Sequence, residues 1–383
     1  MRLIDRLRPE ARGQATTWGT WPGDSSEPTW AGASVDSRSA LQLLTVYGCV
    51  RLIADAISTL PLDVLRKKSD GSREDVPKPA WLVTPVVGLS RVAWMTQVLS
   101  SLLLDGNAFI GLKRNAEGAL VEIPVIDPAR VQIQQENGSA LVYVDGREPS
   151  YRVMHIPGLM LPGSDLGYSP VEAARQSIGI GMAAQEYGAR FFGQGATQTG
   201  VIEVPGELPP GKPAEIARAW ERRHSGKSKA HLPGVLEGGA KWVNTGVTNE
   251  QAQFLETRGF TAAEIAGQMF LVDPSDLGIP VPGTSLTYAN LEQRNLRRVQ
   301  VTFLPWIVRI EDALSSLLPQ PRYVKLNVDG LLRGDLKARF EAYAIGLDHK
   351  FMVPNEPRAF EDWAPLPGGD VVLTTTPQGG PNA

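Results

Sequence analysis

One stretch of the chain, Thr261–Leu318, restricts the possible folds more than any other. Both of its ends have helical patterns, but the segment between them, Val272–Thr287, contains three prolines and two glycines, and neither helix can continue through so many breakers. Within the second helix, Pro305 removes a backbone N–H and clashes with the preceding turn. The apolar residues of that helix recur at steps of three and four and form one stripe: Leu296, Val299, Phe303, Ile307, Ile310, Leu314 and Leu317. The sequence therefore predicts a helix, a stiff loop and a long helix kinked at Pro305, either as ordinary core or as a moving part.

Length and composition exclude several classes of protein. The 383 residues exceed the length at which one hydrophobic core usually keeps growing, so we expect two or three lobes. A net charge of −3 excludes a globally basic nucleic-acid-binding protein, so any contact with DNA would be local. The single cysteine, Cys49, excludes a disulfide within the chain and is predicted to be a core thiol. No apolar run approaches the ~20 residues that cross a bilayer, and the N-terminal sequence lacks a hydrophobic stretch of signal-peptide length, so we expect neither membrane insertion nor secretion.

The N-terminal third is predicted to be an arm followed by an α+β lobe. Residues 1–40 lack periodicity and are rich in small and polar residues, which indicates a flexible arm. Its three tryptophans, Trp18, Trp21 and Trp30, either dock on a neighbouring subunit or fold back on the same chain. Residues 41–169 then contain an amphipathic helix ended by Pro61, a second helix from its N-cap Ser90 to Asp105, and short strands separated by turn sequences. The later strands are predicted at Ala108–Lys113, Leu120–Ile126, Val131–Gln134, Leu141–Val144 and Tyr151–Ile156, in an antiparallel sheet.

The middle of the chain combines a helix of small residues with a basic insertion. Pro170 suits the first turn of a helix that runs to about Phe192, and its many glycines and alanines permit close approach of another helix or a crowded ring. Residues 195–246 resemble an inserted unit with a polar helix from about Pro213 to His224. Between residues 212 and 229, six basic residues occur against two acidic ones, Glu215 and Glu221: Lys212, Arg218, Arg222, Arg223, Lys227 and Lys229. The cluster is either a solvated face or a docking site for an acidic partner or polyanion.

Two apparent nucleotide-binding motifs fail on physical grounds. The segment Gly206–Pro213 nearly matches a phosphate-binding loop, but Pro209 and Pro210 remove two N–H donors and Pro213 replaces the hydroxyl residue that binds Mg²⁺. The glycines of Gly179–Ala184 match a loose dinucleotide fingerprint, but they lie within a helical pattern rather than in a turn after a strand. Close helix packing explains them better, and we expect no cofactor.

No set of residues with the spacing of a metal or catalytic site is apparent. The four histidines lack metal-ligand spacing, and no nucleophile elbow occurs. His155 alternates with Val153 on a predicted strand, which favours a hydrogen-bonded sheet residue over a general base. The carboxylates Glu264, Asp273 and Asp276 flank a helix end, where capping and turn roles are expected. The sequence therefore does not indicate an enzyme.

The order of several short motifs along the chain is similar to that in a known family. These are Tyr47–Ala54 with Leu60-Pro61-Leu62, Asp105–Phe109, Gly167–Pro170, Phe191–Ala196, Phe254–Arg258, Glu264–Ala266, Thr287–Gln293 with Leu304-Pro305, and Asn355–Arg358 with Gly368–Asp370. Each motif alone is weak, but together and in order they resemble the portal proteins of long-tailed double-stranded DNA bacteriophages and prophages. One departure is Met269–Pro274, where family members usually have a Gly-Val-Pro-Pro type of turn.

The resemblance implies an α+β portal fold with wing, stem, clip, channel loop, kinked helix and crown. On this chain they would be a flexible arm (1–40), wing (41–169), stem helices (170–194 and 247–272), clip (195–246), channel loop (273–288), kinked helix returning to the wing (289–329) and crown (330–383). It also implies a ring, usually of about twelve subunits, at one capsid vertex of the virion, assembled in the host cytoplasm. Its partners would be the terminase large subunit, a head–tail adaptor, the major capsid or scaffolding protein, and DNA in the channel without sequence specificity.

The resemblance also implies roles for particular residues. The channel would be lined by the loop residues Ile279, Pro280, Val281, Pro282, Gly283, Thr284 and Ser285, and partners would dock on the six basic residues between 212 and 229. The residues themselves leave two alternatives to a portal protein open. One is a monomeric capsid or neck adaptor that binds through the basic unit 212–229, and the other is a hydrolase built on the α+β lobe.

Overall fold

The computed structural model describes residues 17–18, 28–136, 139–193, 200–224, 236, 238–244, 258–280, 288–328, 331, 336–361 and 363–372. The chain forms two compact units. One comprises Met1–Thr284 with Val301–Leu326, and the other comprises Ser285–Gln300 with Asn327–Ala383.

Helices and strands are mixed along the chain. The α-helices are α1 (Ser37–Ala40), α2 (Leu44–Ser58), α3 (Ala80–Val83), α4 (Arg91–Asp105), α5 (Pro170–Ala173), α6 (Arg175–Gly193), α7 (Lys212–His224), α8 (residues 258–264), α9 (Tyr288–Arg297), α10 (Leu304–Ser315), α11 (Leu336–Asp348) and α12 (Asn355–Phe360). The strands are β1 (Thr17–Trp18), β2 (Leu62–Lys67), β3 (Arg73–Asp75), β4 (Asn107–Arg114), β5 (Leu120–Glu122), β6 (Val125–Ile126), β7 (Val131–Glu136), β8 (Ser139–Val144), β9 (Arg152–Pro157), β10 (Leu159–Met160), β11 (Gly167–Tyr168), β12 (Gly200–Glu203), β13 (Lys241–Asn244) and β14 (Arg322–Leu326). Short 3₁₀-helices lie at Pro128–Arg130 and Pro274–Leu277, and π-helical turns at Ile265–Met269 and Arg298–Phe303.

The strands form several small antiparallel sheets rather than the single sheet expected. β4 pairs with β5, β6 and β9, while β7 lies between β1 and β8, and β2 lies between β14 and β3. The predicted strand Leu120–Ile126 is divided into β5 and β6 at Pro124, which cannot donate a ladder hydrogen bond. Its carbonyl still accepts from Gly111 N at 2.9 Å.

Two helices provide the core of the α+β lobe. α2 and α4 pack together through fully buried side chains such as Ile53 and Leu99. Both helices end where the sequence predicts: α2 ends before Pro61, and α4 runs from its cap Ser90, whose Oγ accepts from Ala93 N at 3.1 Å, to Asp105. Cys49 lies in this core, and burial raises the pKa of its thiol to about 12, which confirms a core role rather than a nucleophile.

A close contact joins the end of α4 to the start of the next helices. Asn107 lies in β4 and is buried, and its Nδ2 donates to Gly167 O at 2.8 Å while its Oδ1 accepts from Gly167 N at 2.7 Å. The Ser169 hydroxyl donates to Leu104 O at 2.8 Å and caps α5. Glycine is required at 106 and 167, because a Cβ would lie 2.3 Å from Tyr168 O and 2.2 Å from Gly106 O respectively. Two of the sequence motifs therefore form one interlocked joint.

The small-residue helix packs against the N-terminal segment of its own chain. A Cβ on Gly179 would lie 2.4 Å from Thr29 Oγ1, and one on Gly181 would lie 3.0 Å from Leu43 Cδ2. The close packing predicted for these glycines is confirmed, although the neighbours include a turn. The predicted helix is interrupted at Ala174, where α5 ends before α6 begins. Of the three tryptophans, Trp18 lies in β1 and pairs with β7 of the same chain, Trp30 is exposed, and Trp21 lies outside the described residues.

The stretch Thr261–Leu318 is less regular than the sequence suggests. α8 continues into the π-helical turn Ile265–Met269, and Leu271 has a φ of 54°. The predicted long helix consists of α9, the π-helical turn Arg298–Phe303 and α10, with Pro305 in the first turn of α10. Because proline cannot donate to the preceding turn, the irregular hydrogen bonding falls just before it.

Side-chain hydrogen bonds fasten α10 to the sheet. The buried Glu311 accepts from Leu326 N at 2.8 Å and from Lys325 Nζ at 2.9 Å. The Ser315 hydroxyl accepts from Val324 N at 2.9 Å. These bonds hold α10 along β14, which in turn pairs with β2.

In the second unit, two of the sequence motifs also meet. Asn355, at the start of α12, accepts from Leu366 N at 2.8 Å and donates to Leu366 O at 3.1 Å and to the Asp370 carboxylate at 2.8 Å. A Cβ on Gly369 would lie 2.4 Å from Asn355 Oδ1, so the turn closes tightly over that amide. The motif pair Asn355–Arg358 and Gly368–Asp370 therefore has a structural explanation.

The Asn107 joint gives a test of stability. We expect Asn107→Ala to lower the free energy of unfolding by about 2–4 kcal/mol, since it leaves both backbone groups of Gly167 buried without this partner. Chemical denaturation would measure the change. The control Asn115→Ala removes a turn hydrogen bond at an exposed site and should cost less than about 1 kcal/mol. Equal losses for the two variants would contradict the role given to Asn107.

Candidate functional site

The predicted docking residues of the clip are gathered on one helix as far as the structure describes them. α7 includes Lys212, Arg218, Arg222 and Arg223, and the strands β12 and β13 pair antiparallel beside it in sequence, from Gly200↔Asn244 to Glu203↔Lys241. The side chain of Arg223 lies outside the described part, as do residues Lys227 and Lys229 altogether. Four of the six predicted docking residues therefore share one element.

Arg218 and Arg222 present a charged face to solvent. They are four residues apart on α7, which places them on the same side of the helix, and both are exposed. Ile216 and Trp220 are half-buried and lie on the opposite side, so α7 is oriented with its arginines outward. Lys212 pairs with Glu215 at 3.1 Å, an exposed contact worth little in free energy. Such a face suits a negatively charged partner surface.

The first half of the predicted channel loop is anchored rather than projecting. Asp273 caps the 3₁₀-helix Pro274–Leu277 by accepting from Ser275 N at 3.0 Å, which confirms the expected capping role. Leu277 packs on α2, where a Cβ on Gly48 would lie 3.2 Å from its Cδ2. Ile279 is half-buried and Pro280 exposed, and the remaining predicted channel residues, Val281–Ser285, lie outside the described part. Any projecting loop therefore begins near Pro280.

A cavity of about 590 Å³ lies in the first unit beside Pro305. Its walls come from four places: the Gly106 joint with Leu159 and Tyr168, the start of α6, the π-helical turn after α8, and α10 with the residues before it. The lining is mainly apolar, and its polar side chains include Glu264, Thr302 and Arg309. Arg309 donates to Pro305 O at 2.8 Å and lies 5.5 Å from the ring of Trp306. The Thr302 hydroxyl donates to Leu271 O and joins two of the walls.

His155, the candidate general base, has a structural role in the sheet. His155 lies in β9, its Nε2 is 2.9 Å from Asn107 Oδ1, and its ring stacks on Phe109 at 4.7 Å. Because Asn107 Oδ1 is an acceptor, Nε2 donates to it. Burial lowers the pKa of His155 from 6.5 to about 4, with a smaller opposing effect from Asp165. The sheet role predicted for His155 is confirmed, and the hydrolase hypothesis loses its base.

Metal ligation and membrane crossing each require a recognisable arrangement of residues. No group of three or more potential metal-ligating side chains comes together among these residues. None of the described helices combines the length and the hydrophobicity that a bilayer crossing needs.

The cavity was not anticipated from the sequence. Its walls are far apart along the chain, so no local pattern marks them. The nearest available signals were the prolines at 170 and 305 and the small residues Ala173 and Ala174, all of which line it. They indicate irregular, closely packed helix ends without specifying a space between them.

Sequence comparisons identify relatives along most of the chain. The family described as "Phage portal protein" matches residues 44–362. The probable portal protein of Streptomyces phage phiC31 is 35% identical over 362 residues, covering 88% of this chain and 78% of that protein. The portal protein of Enterobacteria phage HK97 is 29% identical over 363 residues, covering 89% and 83%.

Solved structures with the same fold give a consistent result. The crystal structure of an HK97 family phage portal protein from Corynebacterium diphtheriae matches with a TM-score of 0.58 at 17% identity, covering 78% of this chain and 98% of that one. A chain from the neck of a native gene transfer agent particle, computed with C12 symmetry, matches with a TM-score of 0.55 at 22% identity, covering 86% and 95%. The predicted α+β portal fold is confirmed.

The half-buried His155 predicts a pH dependence of stability. Its folded pKa of about 4 lies below the unfolded value of 6.5, so the unfolded chain binds the proton first as the pH falls. Stability from this residue is complete above pH 6.5 and falls toward pH 4, by at most about 1.4 kcal/mol per pH unit. His155→Gln keeps a donor but cannot titrate, and should flatten the dependence between pH 6.5 and 5 in denaturant unfolding.

His349→Gln, which changes an exposed histidine, is the control and should leave the pH dependence unchanged. Identical pH profiles for His155→Gln and the unaltered chain would contradict the assignment.

Proposed function

Because the chain belongs to the phage portal protein family, we propose that it forms the portal ring at one capsid vertex, through which double-stranded DNA is packaged and ejected. The observation that supports this most is the family match over residues 44–362, together with 35% identity to the phiC31 relative. The protein is thus a structural component of the virion, with no catalytic step assigned to it. The protein would assemble in the host cytoplasm before DNA is packaged.

We infer a ring of about twelve copies, in line with the C12 symmetry in which the related neck particle was computed. A ring needs two different surfaces on each copy, one for each neighbour, because heterologous contacts close by rotation. The exposed apolar residues of the first unit, such as Trp30, Leu159 and Phe260, are consistent with such surfaces.

Within the ring, the parts would have separate tasks. Residues 41–169 would form the wing, 170–194 and 247–272 the stem helices, 195–246 the clip, 273–288 the channel loop, 289–329 the kinked helix and 330–383 the crown. The interlocked joint at Asn107 supports a firm connection between wing and first stem helix. The wing or crown would contact the major capsid or scaffolding protein.

The clip would dock the terminase large subunit first and a head–tail adaptor afterwards. The exposed arginines of α7 support this, because they are concentrated on one element of a chain whose net charge is −3. DNA would pass the loop 279–285 without sequence-specific contacts. A chain that is acidic overall avoids many lysine and arginine contacts to phosphate, each of which would slow sliding.

The direct test of the proposal is electron microscopy of the purified chain in negative stain. We expect closed rings with a central channel and rotational symmetry near twelvefold. Monomers or dimers at every protein and salt concentration tried would contradict a portal and would favour the adaptor alternative.

The clip assignment is tested by charge reversal at Arg218 and Arg222 together. Both side chains are exposed, so Arg218→Glu with Arg222→Glu should leave folding and ring formation unchanged while weakening the binding of terminase or adaptor about tenfold or more. Binding would be measured on assembled rings at two salt concentrations.

The matched control is Arg114→Glu with Arg147→Glu, which reverses two exposed charges in the wing and should leave partner affinity unchanged. Loss of rings with retained partner binding in the α7 variant would show that the arginines serve assembly instead.

A further inference from the structure

Trp30 is held rigidly with its indole in solvent. The side chain is 92% exposed, although it belongs to a well-bonded turn. Thr29 N donates to Ala33 O at 2.8 Å, Gly32 N donates to Thr29 O at 2.7 Å, and Trp30 N donates to the Gln176 side chain at 3.1 Å. The buried Thr29 fits against Gly179, where a larger residue would clash. A large aromatic side chain that is fixed by its backbone but covered by none of the described residues has the features of an interface anchor.

The cavity beside Pro305 has the chemistry that an indole requires. Apolar walls surround its space of about 590 Å³, and Leu159 and Leu271 are exposed residues on its lining. A buried indole N–H needs an acceptor, which the half-buried Glu264 carboxylate can supply. Arg309, which already stacks on Trp306, offers a guanidinium face to a second aromatic ring.

Trp30 and the cavity both lie at the first turns of α6. Gln176 accepts the hydrogen bond from Trp30, and the next residue, Ser177, lines the cavity. Consecutive residues of a helix differ by about 1.5 Å in height and point about 100° apart. The two features therefore lie at nearly one level of α6 but on different sides of it.

We propose that Trp30 of one copy inserts into the cavity beside Pro305 of the adjacent copy, so that the contact repeats around the ring. This inference rests on the proposed portal function, in which α6 runs along the stem. A rotation about the ring axis leaves height unchanged, so complementary patches of a heterologous ring contact must lie at one level. With α6 running along the ring axis in the proposed stem, Trp30 and the cavity meet that requirement.

Residues beside Trp30 extend the same contact. Ile180 lies four residues after Gln176 on α6, and Tyr187 lies seven residues after Ile180, so both follow the side of the helix that holds the turn. Both are about half exposed. On the opposite partner, Leu159, Leu271 and Val308 provide exposed apolar surface. The indole would thus be the anchor at one end of a longer apolar seam.

A second copy fits this surface better than DNA or an acidic partner does. The cavity is largely apolar and its charged groups include one carboxylate and one guanidinium, so it lacks the positive surplus that phosphates select. The arginine face suited to an acidic partner lies on α7, a different element.

Assembly of variants at these two surfaces tests the proposal. We expect Trp30→Ala to fold normally, because its side chain contributes little burial, and to raise the protein concentration for half-maximal ring formation about tenfold or more. Leu159→Glu, at the cavity side and 61% exposed, should have a similar effect. Val87→Ala, with 82% exposure outside both surfaces, is the control and should assemble as the unaltered chain. Mass photometry would count rings, and circular dichroism would confirm folding.

Crosslinking between different copies provides a second measurement. A copy with Trp30→Cys is mixed with a copy with Leu159→Cys, so a bond between these two cysteines can form only between copies. The native Cys49 is buried and should not compete. A short bifunctional maleimide should give a crosslinked dimer from the mixture under ring-forming conditions, and neither variant alone should do so.

The outcomes separate the inference from the function on which it rests. Suppose that the unaltered chain forms rings. Unchanged assembly of Trp30→Ala, or the absence of a crosslink, would then overturn the contact between Trp30 and the cavity but leave the portal function in place. If Trp30→Ala changed only the binding of an adaptor or terminase, the contact would belong to a different partner and the inference would be wrong. Failure of the unaltered chain to form rings would overturn both.

Discussion

The joint between Gly106-Asn107 and residues 167–169 determines how the first unit is connected. Asn107 satisfies both backbone groups of Gly167, and Ser169 bonds to Leu104 O, so the end of α4 and the start of α5 are fixed to each other. The backbones approach so closely that no side chain fits at 106 or 167. Since α5 and α6 follow directly, the direction in which the chain leaves the α+β lobe depends on this contact. The half-buried His155 strengthens the joint by donating to the same amide oxygen.

The stretch from 261 to 318 combines irregular and firmly held parts. Both π-helical turns line the cavity, and Thr302 of the second turn donates to Leu271 O just after the first. In contrast, α10 is fastened to β14 through Glu311 and Ser315. Helical hydrogen bonding is least regular at the π turns. α10 is therefore held as part of the core, whereas the alternative of core or moving part stays open for the residues before Pro305.

The elements with strong local signals could be predicted from the sequence, and those set by distant contacts could not. The period of α2, the cap at Ser90 and the turn at Gly106 are local, and the structure has them where expected. The order of weak motifs also sufficed for the family. The sequence did not reveal the cavity, because its walls lie far apart in the chain. Pro124 and Pro305 are local signals of irregularity, but they do not specify a divided strand or a π-helical turn. The basic cluster was visible as composition, but the outward orientation of Arg218 and Arg222 requires the half-buried Ile216 and Trp220 opposite them.

The glycines of α6 show how a local pattern can have a non-local purpose. Their spacing matches a loose dinucleotide fingerprint, and it is also typical of a surface for close helix packing. In the structure, Gly179 admits the buried Thr29 and thereby fixes the turn that presents Trp30. A side chain at position 179 would displace that turn without touching any neighbouring copy. Its effect on assembly would then be indirect, because the indole would lose its fixed position and ordering it on binding would cost conformational entropy. In the proposed ring, Gly179 would thus favour assembly by preorganising a contact rather than by making one.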